Sequence, residues 1–146
     1  MKRRRLLRVT AGIGAAVALL AYLHDPPWAG RVTSGFRPWE ENPPGTFFRW
    51  TAGRASFFIP ANATWIMLPL MGVYPGPDGA PVKVEIRVDD RFLATIELTD
   101  PLTWVRPELP IGRRPSRRSF RRVDLRVSRV VGESTFGVVT GQPTIW

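Results

Sequence analysis

The feature that most constrains the fold is an alternation of apolar and charged residues in the middle of the chain. Apolar residues occupy every second position from Val82 to Val88, and charged residues fill the positions between them. The same period returns from Phe92 to Leu98. A period of two is typical of β-strands with one buried and one wet face. We therefore predict two strands of an antiparallel hairpin.

The two apolar sets also predict how these strands are connected. A two-residue loop would turn most apolar residues of the second strand to the wrong face. A three-residue loop over Asp89, Asp90 and Arg91 aligns both sets, so we predict a bulged three-residue connection. It pairs Val88 with Phe92 and Ile86 with Ala94.

Further strand candidates follow residue 46, separated by turn signals rich in Gly, Pro and Asn. They are Thr46–Thr51, Arg54–Ile59, Thr64–Met71, Leu102–Arg106, Phe120–Val130 and Ser134–Thr140. About eight short strands without an amphipathic helix predict an all-β fold, an antiparallel β-sandwich of jelly-roll type over residues 46–146. The chain has no cysteine, so its core must supply the stability without disulfides.

The N-terminal residues 1–24 have the pattern of an export signal. A basic cluster, Lys2 to Arg5, precedes the charge-free apolar run Val9–Leu23. That run spans about 22 Å as a helix, against a hydrocarbon core of about 30 Å. Signal cleavage needs small residues at −3 and −1, and the candidate pairs Leu19 with Ala21 and Pro27 with Ala29 meet this requirement poorly. We therefore favour an uncleaved signal-anchor, a single transmembrane helix, over a cleaved signal peptide or a buried helix.

The positive-inside rule then places the N-terminus in the cytoplasm and the domain in the periplasm or outside the cell, anchored to the bacterial inner membrane. Cleavage would release a secreted domain. Residues 25–45 contain five prolines and are predicted to form a stalk. The dominance of Arg over Lys, with abundant Ala, Gly and Pro, suggests a bacterial source.

Charge limits the classes of partner. The formal net charge is +9, and the residues before the apolar run carry five of these charges. From Arg31 onward 16 basic and 11 acidic residues leave +5. This mild excess fits anionic headgroups or acidic polysaccharide and argues against nucleic acid.

The residue types also argue against an enzyme. The single histidine, His24, adjoins the apolar run, and cysteine is absent, so a His-based or Cys-based catalytic site is excluded. The carboxylates lie on polar strand faces or in turns, and Asp89, Asp90 and Asp100 lack the spacing of an EF-hand calcium site. We expect no catalytic residue, no metal and no cofactor.

Arginines form the most conspicuous charge cluster. Arg113, Arg114, Arg117 and Arg118 fall in a predicted loop, where their planar forks could bind phosphate, uronate or anionic lipid. The alternative is a solvated loop that leads into a strand, on which Arg122 and Arg126 pair with Asp124 and nearby acids.

Six tryptophans are the other unusual feature. Trp50, Trp65 and Trp104 lie in strand candidates and are predicted to be core residues. Trp39 and Trp146, in the stalk and at the terminus, are the better candidates for exposed ring faces that stack on sugars.

Three segments resemble a known class of domain: Phe48–Thr51 with Gly53–Ala55, Val88–Arg91 and Phe120–Val127. They are similar to the jelly-roll-like β-sandwich domains appended C-terminally to bacterial glycosyltransferase-like membrane proteins. The resemblance covers residues 46–146 and implies a non-catalytic accessory module that binds glycan or the glycan-assembly machinery at the cell envelope. The alternative is a structural protein–protein interaction domain of an envelope complex.

Overall fold

The computed structural model describes residues 2–74, 76–113, 118–132 and 137–146. A helix, α1 (Lys2–His24), precedes twelve strands in this part of the chain. The strands are β1 (Thr33–Phe36), β2 (Glu40–Glu41), β3 (Phe47–Pro60), β4 (Trp65–Met67), β5 (Leu70–Met71), β6 (Val82–Val88), β7 (Arg91–Leu98), β8 (Trp104–Val105), β9 (Glu108–Pro110), β10 (Phe120–Val127), β11 (Val139–Gly141) and β12 (Thr144–Ile145). Short 3-10 helices cover Ala29–Arg31 and Pro77–Gly79.

Strand β3 belongs to both main sheets. Its C-terminal half pairs with β10, which continues to β6 and β7 and completes the first sheet. Its N-terminal half pairs with β2 and β11, and β11 continues to β5 and β8 in the second sheet. A third, small sheet has the order β12-β4-β9. All these pairings are antiparallel, which confirms the all-β antiparallel fold; the jelly-roll connectivity stays a prediction.

The core is formed by the apolar residues of the segments that alternate in sequence. Val82, Val84, Ile86 and Val88 of β6 are buried, and so are Val123 and Leu125 of β10. Phe57 and Ile59 of β3 complete this layer, and Ile66, Leu68 and Leu70 bury the β4–β5 region against it. Each strand thus places its apolar face toward one shared interior.

The predicted stalk, residues 25–45, differs in the structure, because β1 and β2 lie in it and both pair with β3. Gly35 makes this close approach possible: its φ is +70°, and a Cβ there would overlap the carbonyl oxygen of Arg54. The predicted break at Ala52-Gly53 also differs, since β3 runs through it as one strand.

The β6–β7 hairpin corrects the predicted connection. Val88 pairs with Arg91, so the loop has two residues, and both have positive φ (Asp89 51°, Asp90 64°). This is the geometry of a type I′ turn, which Asp adopts more readily than most residues. The register is restored by a bulge, after which Ile86 pairs with Ala94 as predicted.

The bulge changes which residues of β7 face the core. Arg87 pairs with Phe92 and Ile86 with Ala94, so Leu93 is the additional residue. Leu93 packs against the core, whereas Phe92, predicted to face inward, is exposed. The shift of register predicted from the alternation is thus present, but the additional residue is Leu93 in β7 and not a third residue in the turn.

All the side chains of α1 that the structure describes are exposed. Every residue from Thr10 to Leu23 is exposed, including Ile13, Val17 and Leu20. Within the described residues, no helix combines the length and the apolar character needed to cross a membrane.

The end of α1 is bonded to the domain. The Asp25 carboxylate accepts hydrogen bonds from the Ser119 backbone N–H at 2.9 and 3.0 Å and from the Ser119 hydroxyl at 2.6 Å. These bonds lower the pKa of Asp25. The helix is thus followed by a fixed contact with the residue that precedes β10.

A partly buried ion pair joins the β6–β7 turn to β10, and its arginine also bonds to the loop before β10. Arg121 is buried; its Nε donates to Asp89 Oδ2 at 2.8 Å, and its Nη1 donates to the Gly112 carbonyl at 2.8 Å. The other carboxylate oxygen of Asp89 accepts the backbone N–H of Arg122. Asp89 therefore supplies the charge that makes burial of Arg121 tolerable.

Replacing Asp89 with Asn keeps the shape and the tolerance for positive φ but removes the charge that faces Arg121. We expect Asp89→Asn to lower the free energy of unfolding by about 2–3 kcal/mol, because a buried guanidinium loses its counter-charge. Urea denaturation measures this change. The control is Glu97→Gln, which breaks a half-exposed pair with Lys83 and should cost less than about 1 kcal/mol. Equal losses in both variants would contradict the prediction.

Candidate functional site

The outer face of the second sheet carries a row of large side chains. Trp50, Val139, Met71 and Trp104 are paired in succession across β3, β11, β5 and β8. Directly paired residues point to the same side of a sheet. The neighbouring row contains Leu70, which is fully buried in the core, so the tryptophan row faces the opposite way. Within this row Trp50 and Trp104 are partly exposed, whereas Val139 between them is covered and only 1% exposed.

None of the six tryptophans is buried, which corrects the prediction that Trp50, Trp65 and Trp104 belong to the core. Trp65 is exposed, and Trp50 and Trp104 are partly exposed. The core is instead filled mainly by aliphatic residues of β3, β6 and β10.

Two further aromatic residues extend this row into a surface that we call the aromatic platform: Phe48, Trp50, Tyr74 and Trp104. Tyr74 is 43% exposed and stacks on Trp50, with 6.0 Å between ring centroids and 23° between ring planes. Phe48 lies two residues before Trp50 on the same strand face and is partly exposed. Beside it, Gly141 is buried against Pro69 and Trp104: a Cβ there would lie 3.0 Å from Pro69 and 3.7 Å from the indole ring.

A cavity of about 260 Å³ adjoins the Trp104 end of the platform. Its walls combine the rings of Phe47 and Trp104 with the polar side chains of Thr46, Arg106 and Gln142. Both Arg106 and Gln142 are exposed. The arrangement offers flat apolar faces next to a guanidinium and an amide that can hydrogen-bond to hydroxyl groups. Aromatic faces carry partial negative charge and attract the C–H groups of sugar rings.

Trp39, a site residue predicted from the sequence, lies beside a second unusual group. The Arg49 guanidinium carbon is 4.5 Å from the centroid of the Trp39 ring and 3.7 Å from that of Phe36. Arg49 is only 7% exposed, and burial lowers its pKa. Trp39 itself is 45% exposed.

Trp146, the other predicted aromatic site residue, is brought next to Trp65. The two backbones exchange hydrogen bonds, from Trp65 N–H to Trp146 O at 2.9 Å and from Trp146 N–H to Trp65 O at 3.3 Å. Such a pair places its side chains on one face, and both rings are exposed. This pair lies on the third sheet, apart from the aromatic platform in the strand order.

The predicted arginine site is not gathered into one place. Arg114 and Arg117 lie outside the described residues. Arg113 lines a cavity of about 240 Å³ with Phe92 and Arg121. Arg118 lines another, of about 360 Å³, with the end of α1 and Trp28.

The strand part of the arginine run follows the solvated alternative. Arg122 pairs with Asp124 at 2.9 Å and with Asp90 at 2.6 Å, and Arg126 lies 3.9 Å from Glu85. The hydrogen bond with Asp124 raises the pKa of Arg122. This outer face of the first sheet is a network of compensated charges.

Five carboxylates of the described residues are engaged by cations: Glu85, Asp89, Asp90, Glu97 and Asp124. Glu85 accepts a hydrogen bond from Arg87, which lowers the pKa of Glu85. Asp89 and Asp90 are held by Arg121 and Arg122, and Glu97 by Lys83. A lowered pKa favours a permanently ionised group, which is unsuited to the role of a general acid.

Comparison with other proteins yields no family. No protein-family model matches the chain, and no curated protein does so either. The C-terminal domain of EclA, described as a sugar-binding protein, is similar over 79% of this chain and 76% of its own, with 14% identity and a TM-score of 0.47.

Two other solved structures are similar to a comparable degree. A cycloisomaltooligosaccharide glucanotransferase from Paenibacillus sp. matches 79% of this chain with 17% of its own, at 10% identity and a TM-score of 0.46. The CBM36-1 domain of a multidomain xylanase from the hindgut metagenome of Trinervitermes trinervoides matches 76% of this chain with 89% of its own, at 11% identity and a TM-score of 0.43. With TM-scores below 0.5, these similarities carry no weight for the site.

The aromatic platform is a surface, and its residues should contribute little to stability. We expect Tyr74→Ala to lower the free energy of unfolding by about 1 kcal/mol, the contribution of one aromatic contact. Phe57→Ala, the matched change in the core, should cost about 3–5 kcal/mol because it leaves a cavity. Chemical denaturation of both variants provides the measurement. A loss for Tyr74→Ala as large as that for Phe57→Ala would mean that Tyr74 is a core residue.

Proposed function

We propose that the chain is a non-catalytic glycan-binding module that uses the aromatic platform as its binding surface. The single observation that carries this proposal is the set of partly exposed aromatic rings on the outer side of one sheet, from Trp50 with Tyr74 to Trp104. Such rings suit a saccharide, because sugar rings can stack on the faces that remain accessible while their hydroxyl groups remain in water.

The polar groups at one end of the platform support a glycan over a protein partner. Arg106 and Gln142 stand at the cavity beside Trp104, where a protein interface would favour a continuous apolar patch. The engaged carboxylates, such as Glu85 and Asp89, support a binding role over a hydrolytic one. An interaction domain of an envelope complex is the competing function.

Glycan binding can be tested with the full chain, purified in a mild detergent, on an array of envelope and plant polysaccharides. We expect Trp104→Ala to weaken binding at least about tenfold, equivalent to about 1.4 kcal/mol, because it removes the stacking face beside the cavity with Arg106 and Gln142. The control is Phe92→Ala, which truncates an exposed ring of the first sheet and should leave binding unchanged.

Two outcomes would contradict this function. If the unmodified chain binds no glycan, the aromatic platform has another occupant and the protein-interaction alternative gains. If Trp104→Ala and Phe92→Ala weaken binding equally, the sugar does not bind at the platform.

We also propose that α1 attaches the module to a bacterial envelope membrane, with the β-domain outside the cytoplasm. The support is the charge-free run Val9–Leu23 behind a basic cluster, together with the exposure of apolar residues on every side of the helix. A helix that is apolar all round requires a nonpolar environment. Here the domain does not supply one, because residues 10–23 are exposed.

Membrane attachment predicts a specific response to charge in α1. We expect the full chain to float with phosphatidylglycerol vesicles in a density gradient. Ala16→Asp, near the middle of the apolar run, should abolish flotation, because a charge there costs about 2.5–3.5 kcal/mol in a bilayer. Thr95→Asp adds the same charge to the exposed face of β7 and should still float. Flotation of Ala16→Asp, or none by the unmodified chain, would contradict attachment through α1.

A further inference from the structure

Arg49 is a buried cation without a counter-charge among the described residues. It is 93% buried, yet no carboxylate of the described chain lies within 4 Å of it. Its Nε is enclosed and has no hydrogen-bond partner there. Arg121, which is buried to a similar degree, has both Asp89 and a backbone carbonyl as partners. The guanidinium of Arg121 thus has a counter-charge and a carbonyl partner, whereas that of Arg49 has no counter-charge among the described residues.

Aromatic rings offset only part of this cost. Contacts with Phe36 at 3.7 Å and Trp39 at 4.5 Å attract the positive charge, and each is worth about 0.5–2 kcal/mol. Neither ring accepts the in-plane hydrogen bonds of a guanidinium. An unpaired buried polar group costs about 1–3 kcal/mol, and more when it is charged. The rings therefore hold the guanidinium of Arg49 but leave its Nε donor unsatisfied.

The missing partner can be described by its chemistry. A guanidinium presents parallel N–H donors that match the two oxygens of a carboxylate. Thr140, which pairs with Arg49 across the strands, is uncharged and therefore supplies no counter-charge. Trp39, whose ring lies 4.5 Å from the guanidinium carbon, lies between β1 and β2 and is 45% exposed. It therefore presents a partly open ring face directly beside Arg49.

We infer that Arg49 and Trp39 form a binding site for the carboxylate of an acidic sugar, with the guanidinium as the ion-pair donor and the indole as the stacking face. The identity of the ligand as a sugar rests on the proposed glycan binding, whereas the carboxylate follows from Arg49 itself. The site lies on the inner side of β3, opposite the aromatic platform, because Arg49 and Trp50 alternate on the strand.

Thermal denaturation of the full chain with sodium D-glucuronate tests this site. D-Glucose in sodium chloride of equal ionic strength is the neutral comparison. We expect glucuronate to raise the Tm of the unmodified chain above the value in glucose, since a ligand that binds only the native state stabilises it. Arg49→Met should lose this difference, and its Tm without ligand should be unchanged or higher, because the unpaired charge is gone.

Two variants make the result specific. Arg54→Met removes an exposed arginine from the same strand and should keep the full glucuronate shift. Arg49→Lys keeps the charge but lacks the fork, so it should fold and lose most of the shift. It provides the answer even if Arg49→Met fails to fold. The inference is overturned if glucuronate and glucose have equal effects on the unmodified chain, or if Arg49→Met or Arg49→Lys keeps the shift.

The experiments distinguish failure of the Arg49 site from failure of the aromatic platform. If Trp104→Ala abolishes binding of neutral glycans while glucuronate still has no specific effect, the platform stands and the Arg49 site falls. If the glucuronate shift depends on Arg49 while no array glycan binds, the carboxylate site stands and the platform has another role.

Discussion

The whole architecture depends on the hydrogen bonding of one long strand. β3 pairs with β1, β2, β10 and β11, and it passes from one sheet into the other without interruption. Its alternation is preserved through the bend, so Ala55, Phe57 and Ile59 face the same interior as Arg49 and Thr51. One strand therefore fixes the inner and outer faces of both sheets. The position of the aromatic platform follows from that choice, since Phe48 and Trp50 occupy the intervening positions.

The two halves of β3 bury very different chemistry. In the first sheet the interior is mainly aliphatic, and Arg121, which is buried there, is neutralised at the edge of the core. In the second sheet the interior side of β3 holds Arg49 and Thr51, while the rings stand outside. This inversion, polar inside and aromatic outside, opposes ordinary core formation. Local conflicts of this kind are characteristic of functional surfaces, where binding takes precedence over stability.

Much of the fold could be predicted from period-two patterns, whereas the site could not. β6 and β10 follow their alternation, and even the hairpin shift was detectable as a mismatch of parity. The prediction that Trp50, Trp65 and Trp104 are core residues is wrong because it rests only on the rule that large aromatics usually lie in the core. The alternation along β3 would have corrected this for Trp50. Ala55, Phe57 and Ile59 face the interior, and counting back by twos from them puts Trp50 on the opposite face. The assumed turn at Ala52-Gly53 prevented that extension. Pairings such as Trp65 with Trp146 depend on contacts between residues far apart in sequence, which periodicity does not encode.

The carboxylate of Asp25 has a mechanical consequence. Because Asp25 is hydrogen-bonded to Ser119 immediately after α1 ends, no flexible linker separates the helix from its first contact with the domain. A module on a long tether explores a wide volume and captures ligands at a distance. This domain instead shares the orientation of its helix, so any surface to which α1 binds also determines the direction in which the sandwich points. Its search would be confined to molecules that come close to that surface.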